Sequence, residues 1–477
     1  MVQRLPLSLR LAYGVGHVLN DICASMWFTY LLVFFHLVLG FDATLAGVVL
    51  LIGQVADAIA TPFVGLHSDK NDNFWLCRYG RRKTWHLLGT VCVLLAFPFI
   101  FSKCVECETA HQWAQLIYYA AFVVIFQFGW AAVQISHLSL VPELTPTEYE
   151  RTELIAIRYT FTVLSNVLVY CITWAVLHIT SDRTSSAQIG PSDAHKFQKV
   201  VFIGIGTGAI TSILFHIFVK EGTVNNSNGS LRRHTRSVSV LMKDIQLYQV
   251  ACVYMPTRLF VNLSQIYVPL YLHESLSMPA TSLAVIPLII YLSSFVMSLI
   301  IERLNTKLGR KISYSIGVLL GTCACVWIRF GTPEDFVKYQ IYLVSLMLGS
   351  AGSVMLVTSL GITADFIGQN TESGAFVYGI MSFTDKLSNG LAVMLIQYLR
   401  CTTPCADYYR DILAYVCGGA AVCGLLMIGF IKPFSHSSAY NTLPIDQTAE
   451  HCDSSASIAS PENIPSDNYL HREEHVT

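Results

Sequence analysis

The sequence predicts an all-α membrane protein of twelve transmembrane helices arranged as two related six-helix halves. Three observations predict it. Hydrophobic residues make up 53% of the chain and charged residues only 13%, where soluble domains carry about 25% charged residues. The remaining charge clusters between apolar runs long enough to cross a bilayer, which takes about 20 residues per helix. Short motifs from the first half of the chain recur, in order, in the second.

The apolar runs place spans near 10–38, 44–66, 84–102, 113–142, 153–178 and 198–219, then 247–272, 280–301, 312–330, 338–365, 374–399 and 411–431. This divides the chain into a bundle over 1–219, a polar Asn-, Ser- and Arg-rich linker over 220–246, a second bundle over 247–432 and a Ser- and acid-rich tail over 433–477. The tail has too few apolar residues to bury a core and is expected to be disordered. The first span runs on without a small-residue cleavage site and reads as a signal-anchor. A net charge of −1 excludes a basic nucleic-acid binder on bulk electrostatics.

Orientation follows from the loops. Of 30 Lys and Arg, 19 fall on the side that takes both chain ends and the even-numbered loops, 8 on the other, and 3 (Arg158, Arg258 and Lys386) inside spans. The richer side is expected to be cytosolic. The repeats have offsets of 229, 220 and 223 residues, from Gly80 to Gly309, Ser139 to Ser359 and Ser165 to Ser388. They read Gly80-Arg81-Arg82-Lys83 against Gly309-Arg310-Lys311, Leu138-Ser139-Leu140 against Thr358-Ser359-Leu360, and Leu164-Ser165-Asn166 against Leu387-Ser388-Asn389. Such repeats put a substrate site near the bilayer midplane, between the halves.

Charge inside a membrane is costly and marks pathways. Asp21, Asp57 and Asp385 face Arg158, Arg258 and Lys386 in number, so the set balances. Helical spacing gathers polar neighbours: Tyr13 and His17 near Asp21, Gln54 and Thr61 near Asp57, Gln127, Trp130 and His137 near Gln134, and Asn262 and Gln265 near Arg258. Lys386 sits about 100° round the helix from Asp385, so the two cannot share a partner direction. The functional reading is a cavity for a small zwitterion, with Arg158 as the carboxylate clamp, since a guanidinium makes two parallel hydrogen bonds, and Asp21 or Asp57 facing the ammonium. The plainer reading is that the six charges pair only with one another. His36, His178 and His216 lie toward span ends and read as interfacial residues. No Gly-rich phosphate loop, Walker motif, catalytic triad or metal-ligand cluster emerges, so neither enzymatic activity nor a cofactor is expected.

Of 14 cysteines, Cys104, Cys107, Cys401 and Cys405 fall in loops on the non-cytosolic side, where an oxidising secretory route favours disulfides. Connectivity stays open. In the tail, Tyr440-Asn441-Thr442-Leu443 fits a tyrosine-based sorting signal for adaptors, built on Tyr440 and Leu443.

The loop Gly65-Leu66-His67-Ser68-Asp69 … Arg78-Tyr79-Gly80-Arg81-Arg82-Lys83 resembles the helix 2–3 signature of the major facilitator superfamily, with an insertion after Asp69. The resemblance implies a conformational latch formed by Asp69, Arg78, Arg81, Arg82 and Lys83. Tyr13-Gly14, Asp21, Asp57-Ala58-Ile59, Thr61-Pro62, Ser139-Leu140-Val141-Pro142, Arg158 and Lys386 are similar to the glycoside–pentoside–hexuronide:cation symporter group. The chain departs from that group where Thr61 replaces a second acid, Gln134 the helix 4 acid and Leu138 the sugar-stacking tryptophan. The segments "SLRLAYGVGHVLNDICASMWFTYLL", "FQFGWAAVQISHLSLVPEL" and "SGAFVYGIMSFTDKLSNGLAVMLIQ" more closely resemble an animal family of major facilitator proteins of lysosomes and melanosomes that imports cysteine. That resemblance implies cysteine as substrate, an organellar address and an influence on pigment. The wider one keeps a sugar or lysolipid cation symporter, or a non-transporting receptor with this fold, as alternatives. Import into an acidic lumen runs against proton symport. Facilitated diffusion or exchange is therefore the expected mode.

Overall fold

In a computed structural model, the described residues are 5–68, 79–145, 148–179, 188–221, 242–331, 336–367, 371–400 and 407–431. They form twelve long helices: α1 (Leu7–Val38), α2 (Ala43–Ser68), α3 (Arg81–Ile100), α4 (Gln112–Ser139), α5 (Glu148–Ile179), α6 (Ala194–Phe218), α7 (Ile245–Leu270), α8 (Ser282–Leu308), α9 (Arg310–Phe330), α10 (Phe336–Ile367), α11 (Thr371–Tyr398) and α12 (Tyr408–Phe430). Ten are long and apolar enough to cross a membrane. The other two, α7 and α11, dilute their apolar runs with Arg258, Asn262 and Gln265, and with Asp385, Lys386 and Asn389. The expected linker and tail lie almost wholly outside the described residues.

Each half repeats one packing scheme. Helices α2 and α3 pack on α4, and α8 and α9 pack on α10. The halves meet along α2–α11, α5–α8 and α1–α7. Close approach in the membrane needs small residues, because no hydrophobic force draws helices together there. A Cβ on Gly89 of α3 would lie 2.6 Å from the Gly129 carbonyl of α4.

The sequence repeat has a structural counterpart. Gly80 and Gly309 open α3 and α9 with φ of +122° and +81°, a region that costs other residues roughly 1–2 kcal/mol. Arg82 pairs with Glu143 at 2.9 Å, and Arg310 with Asp365 at 2.9 Å. Lys83 Nζ donates to the carbonyl of His216 near the end of α6, and Lys311 Nζ to that of Ile431 after α12.

The first span, expected near 10–38, runs over Leu7–Val38 and is interrupted at Gly16. Helix α1 comprises Leu7–Val15 and Val18–Val33, with a wider turn over Phe34–Val38. Gly16 lies beneath Phe215 of α6, where a Cβ would come within 2.4 Å of the ring. A break inside a membrane frees carbonyls that need donors. His137 Nε2 donates to Tyr13 O at 2.8 Å and His86 Nε2 to Gly16 O at 3.0 Å. His216 Nε2 lies 3.1 Å from His86 Nδ1, and the Tyr79 hydroxyl 3.0 Å from His216 Nδ1. One order of donors satisfies all of them: Tyr79 to His216 to His86 to the carbonyl. His216 is thus a member of this chain and more than an interfacial residue.

Gly309→Ala meets open space yet keeps the positive φ. It is expected to destabilise by about 1 kcal/mol, read as a lowered thermal midpoint of the detergent-solubilised protein with the helical content unchanged.

Candidate substrate site

A cavity of about 320 Å³ lies between the halves. The N-terminal half contributes Asp21 from α1 and Thr162 and Asn166 from α5; the C-terminal half contributes Arg258, Asn262 and Gln265 from α7. Tyr291 from α8 and Gly349 and Gly352 from α10 complete the wall. Tyr291 sits in an otherwise apolar run, which hid it from a search for charged residues.

The six intramembrane charges sort into three groups. Lys386 Nζ reaches across the halves to Asp57 Oδ1 at 2.7 Å and also donates to Thr61 Oγ1 at 2.8 Å, whose hydroxyl lies 3.1 Å from the same carboxylate oxygen. Arg258 Nε donates to Asp385 Oδ2 at 2.8 Å. Asp385 Oδ1 also accepts from Asn262 at 3.2 Å and Asn389 at 2.7 Å. The two Arg258 Nη groups make no hydrogen bond among the described residues. Asp21 takes the Thr162 hydroxyl at 3.0 Å and faces His17 Nδ1 at 3.0 Å. Arg158 Nη2 lies 2.9 Å from His17 Nε2.

Of the residues expected at the site, Asp21, Arg258 and Asn262 line the cavity, while Asp57, Gln134, Arg158, Asp385 and Lys386 do not appear on its wall. Arg158 is turned to His17, and Gln134 accepts from its own helix through Trp130 Nε1 at 2.8 Å. The cavity guanidinium is therefore that of Arg258. Neighbouring residues Asp385 and Lys386 point to different partners, one within its half and one across, as their spacing around α11 requires.

On the side away from the chain ends, the halves are joined by polar contacts. Arg400 Nη2 donates to Glu274 Oε2 at 2.8 Å, Glu274 Oε1 lies 3.4 Å from His36 Nε2, and Arg400 Nη1 also contacts that imidazole. His36 belongs to one half and the other two to the other, so the reading of His36 as merely interfacial is overturned. His273 Nε2 donates to Ile189 O at 3.0 Å, and the Tyr30 hydroxyl to Leu283 O at 3.1 Å. Between described residues, no hydrogen bond or ion pair joins the halves on the side of the chain ends.

Of the expected latch, Asp69 and Arg78 lie outside the described residues. Arg81 and Arg82 approach Glu143 at 3.7 and 2.9 Å, and the backbone N–H groups of Arg82 and Lys83 donate to Glu221. None of these contacts reaches the C-terminal bundle. Burial raises the Glu143 carboxyl above its ordinary range, while the Arg82 guanidinium beside it pulls the other way. Cys104 is paired with Cys107. Cys401, Cys405, Tyr440 and Leu443 lie outside the described residues. Among the described residues, no group of His, Cys, Asp and Glu could hold a metal ion.

Asp57→Ala strands the Lys386 ammonium, and breaking a buried pair costs about 3–5 kcal/mol. The single variant is expected to lose most folded yield, and Asp57→Ala combined with Lys386→Ala to recover part of it, checked by size-exclusion profiles.

A family profile described as MFS/sugar transport protein matches residues 12–400. The chain is 44% identical over 448 residues to mouse "Major facilitator superfamily domain-containing protein 12", covering 89% of this chain and 93% of that one. It is equally similar, at 44% over 450 residues, to the human protein of that name. An Escherichia coli "Glucuronide carrier protein homolog" is 24% identical over 82% of each chain. Among solved structures, a D-xylose-proton symporter superposes with a TM-score of 0.68 at 14% identity over 89% of this chain and 98% of that one. The nucleoside transporter NupG superposes at 0.66 and 12% identity, over 89% and 100%. With twelve paired helices around a central cavity and a match along most of its length, the chain belongs to the MFS/sugar transport protein family and is a membrane transporter of the major facilitator type.

Proposed function

We propose that this transporter carries cysteine, as the zwitterion, from the cytosol into lysosomes and melanosomes, and that it thereby influences pigmentation. The observation that carries the reading is the placement of one carboxylate and one guanidinium, Asp21 and Arg258, on opposite halves of one small cavity. A zwitterion has a charge for each. The Arg258 Nη groups offer the carboxylate a planar fork. Asp21 offers the ammonium a counter-charge, and the Asn262 and Gln265 amides supply neutral hydrogen bonds.

A ligand bound to both halves draws them together, as alternating access requires. The Arg400–Glu274–His36 contact then serves as the lumenal gate, shut in this conformation. Lys386 neutralises Asp57 and, with Thr61, takes its Oδ1, so the cycle runs as facilitated diffusion or exchange without sodium. Delivery to the organelle rests on the tail signal at Tyr440 and Leu443, read by sorting adaptors. A sugar:cation symporter is the second reading, favoured by the family's description.

Uptake of radiolabelled cysteine by proteoliposomes of the full chain tests the proposal, with a melibiose-type sugar and a lysolipid as alternatives. Cysteine uptake that survives sodium removal is expected; sugar or lysolipid uptake that needs sodium would replace this reading with the rival. Arg258→Lys keeps the charge and loses the fork. It is expected to lower uptake about tenfold, equal to 1.4 kcal/mol, with normal folding, and unchanged uptake would remove Arg258 from the site.

Glu274→Gln removes the charge that holds Arg400 and His36 together. A reporter thiol at Val268→Cys, on the cavity wall near the lumenal end of α7, is then expected to be labelled faster from the lumenal side. Equal labelling with and without Glu274→Gln would mean that these residues do not gate.

A further inference from the structure

We propose that His17 and Asp21 form a proton-exchange site, in which an added proton on the imidazole and the substrate ammonium on Asp21 exclude each other, so that binding of one releases the other. The inference rests on the reading of Asp21 as the ammonium site and deepens it by naming the counter-ion.

The protonation state follows from the partners. An arginine guanidinium has donors only and stays charged, so His17 Nε2, 2.9 Å from Arg158 Nη2, accepts and carries no proton. The ring proton is on Nδ1, facing Asp21 Oδ1 at 3.0 Å. In this conformation the cluster is one carboxylate, one neutral imidazole and one guanidinium, and its charges cancel. His17 and Asp21 are each about 5–6% exposed, and only Asp21 reaches the cavity wall.

Two ways exist to add one cation. A proton can take Nε2 once Arg158 lets go, making an imidazolium paired directly with Asp21. Alternatively the substrate ammonium can take the face of Asp21 that opens on the cavity. Both together would place three cations on one buried carboxylate, which low-dielectric surroundings oppose. Proton and ammonium therefore compete for Asp21 without touching the same atom.

No other group relieves this excess. Tyr13 on the same helix gives its hydroxyl proton to the His137 carbonyl. His137 from α4 lies 5.6 Å from His17, ring to ring, with its Nε2–H on the Tyr13 carbonyl. His86 from α3 stands behind it, committed to Gly16. The Thr162 hydroxyl fixes Asp21 Oδ2, so Oδ1 is left to the imidazole. Asp21 is the only carboxylate facing His17 among the described residues.

The exchange balances. Lumenal water supplies the proton to Nε2, the site turns to the cytosol, the arriving ammonium expels the proton to cytosolic water, and Arg158 regains Nε2. Substrate enters an acidic compartment as one proton leaves it, so the organelle's acidity drives import. Collapsing the gradient removes accumulation and leaves equilibrating exchange.

The test uses purified full chain in proteoliposomes at clamped zero potential, with labelled cysteine and a trapped pH dye. One proton per cysteine is expected, with accumulation of about tenfold per pH unit of gradient. Cysteine exchange without proton movement would overturn the proton site and leave the transport reading standing, whereas absence of any cysteine exchange would overturn both. His17→Gln keeps a donor and an acceptor but cannot be protonated; it is read by its proton-to-cysteine ratio, expected to fall to zero, and not by its rate. A ratio of one in His17→Gln, or a ratio lost in His137→Gln with His17 intact, would place the proton elsewhere. The wild-type ratio decides the matter even if neither variant folds.

Discussion

A charge in a low-dielectric layer must find a partner or be lost, and among the six intramembrane charges each is tied to an opposite charge on another helix, directly or through one histidine. Lys386 of α11 is held by Asp57 of α2, Arg258 of α7 by Asp385 of α11, and Arg158 of α5 reaches Asp21 of α1 through His17. These pairings tie the second helix of one half to the fifth of the other, and in each half the first helix to the fifth. Packing alone would leave apolar helices free to rotate and slide against each other. The ion pairs fix which faces look inward, and so place the cavity.

The same constraint separates residues that hold the bundle from residues that can meet a ligand. Asp57 pairs with Lys386 beside Thr61, and Asp385 accepts from one guanidinium and two amides. Arg258 and Asp21, by contrast, line the cavity. The departures from the cation-symporter pattern fit this division, because Thr61 is a hydroxyl inside an ion pair where that pattern has a second carboxylate.

Polar contacts also divide the molecule end from end. Between described residues, the bonds that cross the halves run from the midplane to the side away from the chain ends, through Gln265 and Thr29, Tyr30 and Leu283, and the cluster of His36, Glu274 and Arg400. Toward the other side, arginines on each half turn to acids of their own half, Glu143 and Asp365. The break in α1 at Gly16 lies in this region, its freed carbonyls held by His86 and His137.

Twelve spans, two halves and the repeat at Gly80 and Gly309 were legible in the sequence, because a hydrocarbon layer imposes length and apolarity locally and a left-handed glycine is a property of one residue. The sequence also identified the six charges, since each interrupts an apolar run. Their sorting was not legible: Arg158 and Arg258 look alike in sequence, and only the packing of α1 against α5 gives Arg158 to His17 and leaves Arg258 facing the cavity. His36 read as bland because its partners, Glu274 and Arg400, are more than two hundred residues away in the chain. Tyr291 was hidden in an apolar run. Periodicity reports which residues share a face of one helix; which face of another helix lies opposite is set by long-range packing and charge pairing, and that was decided by the tertiary structure alone.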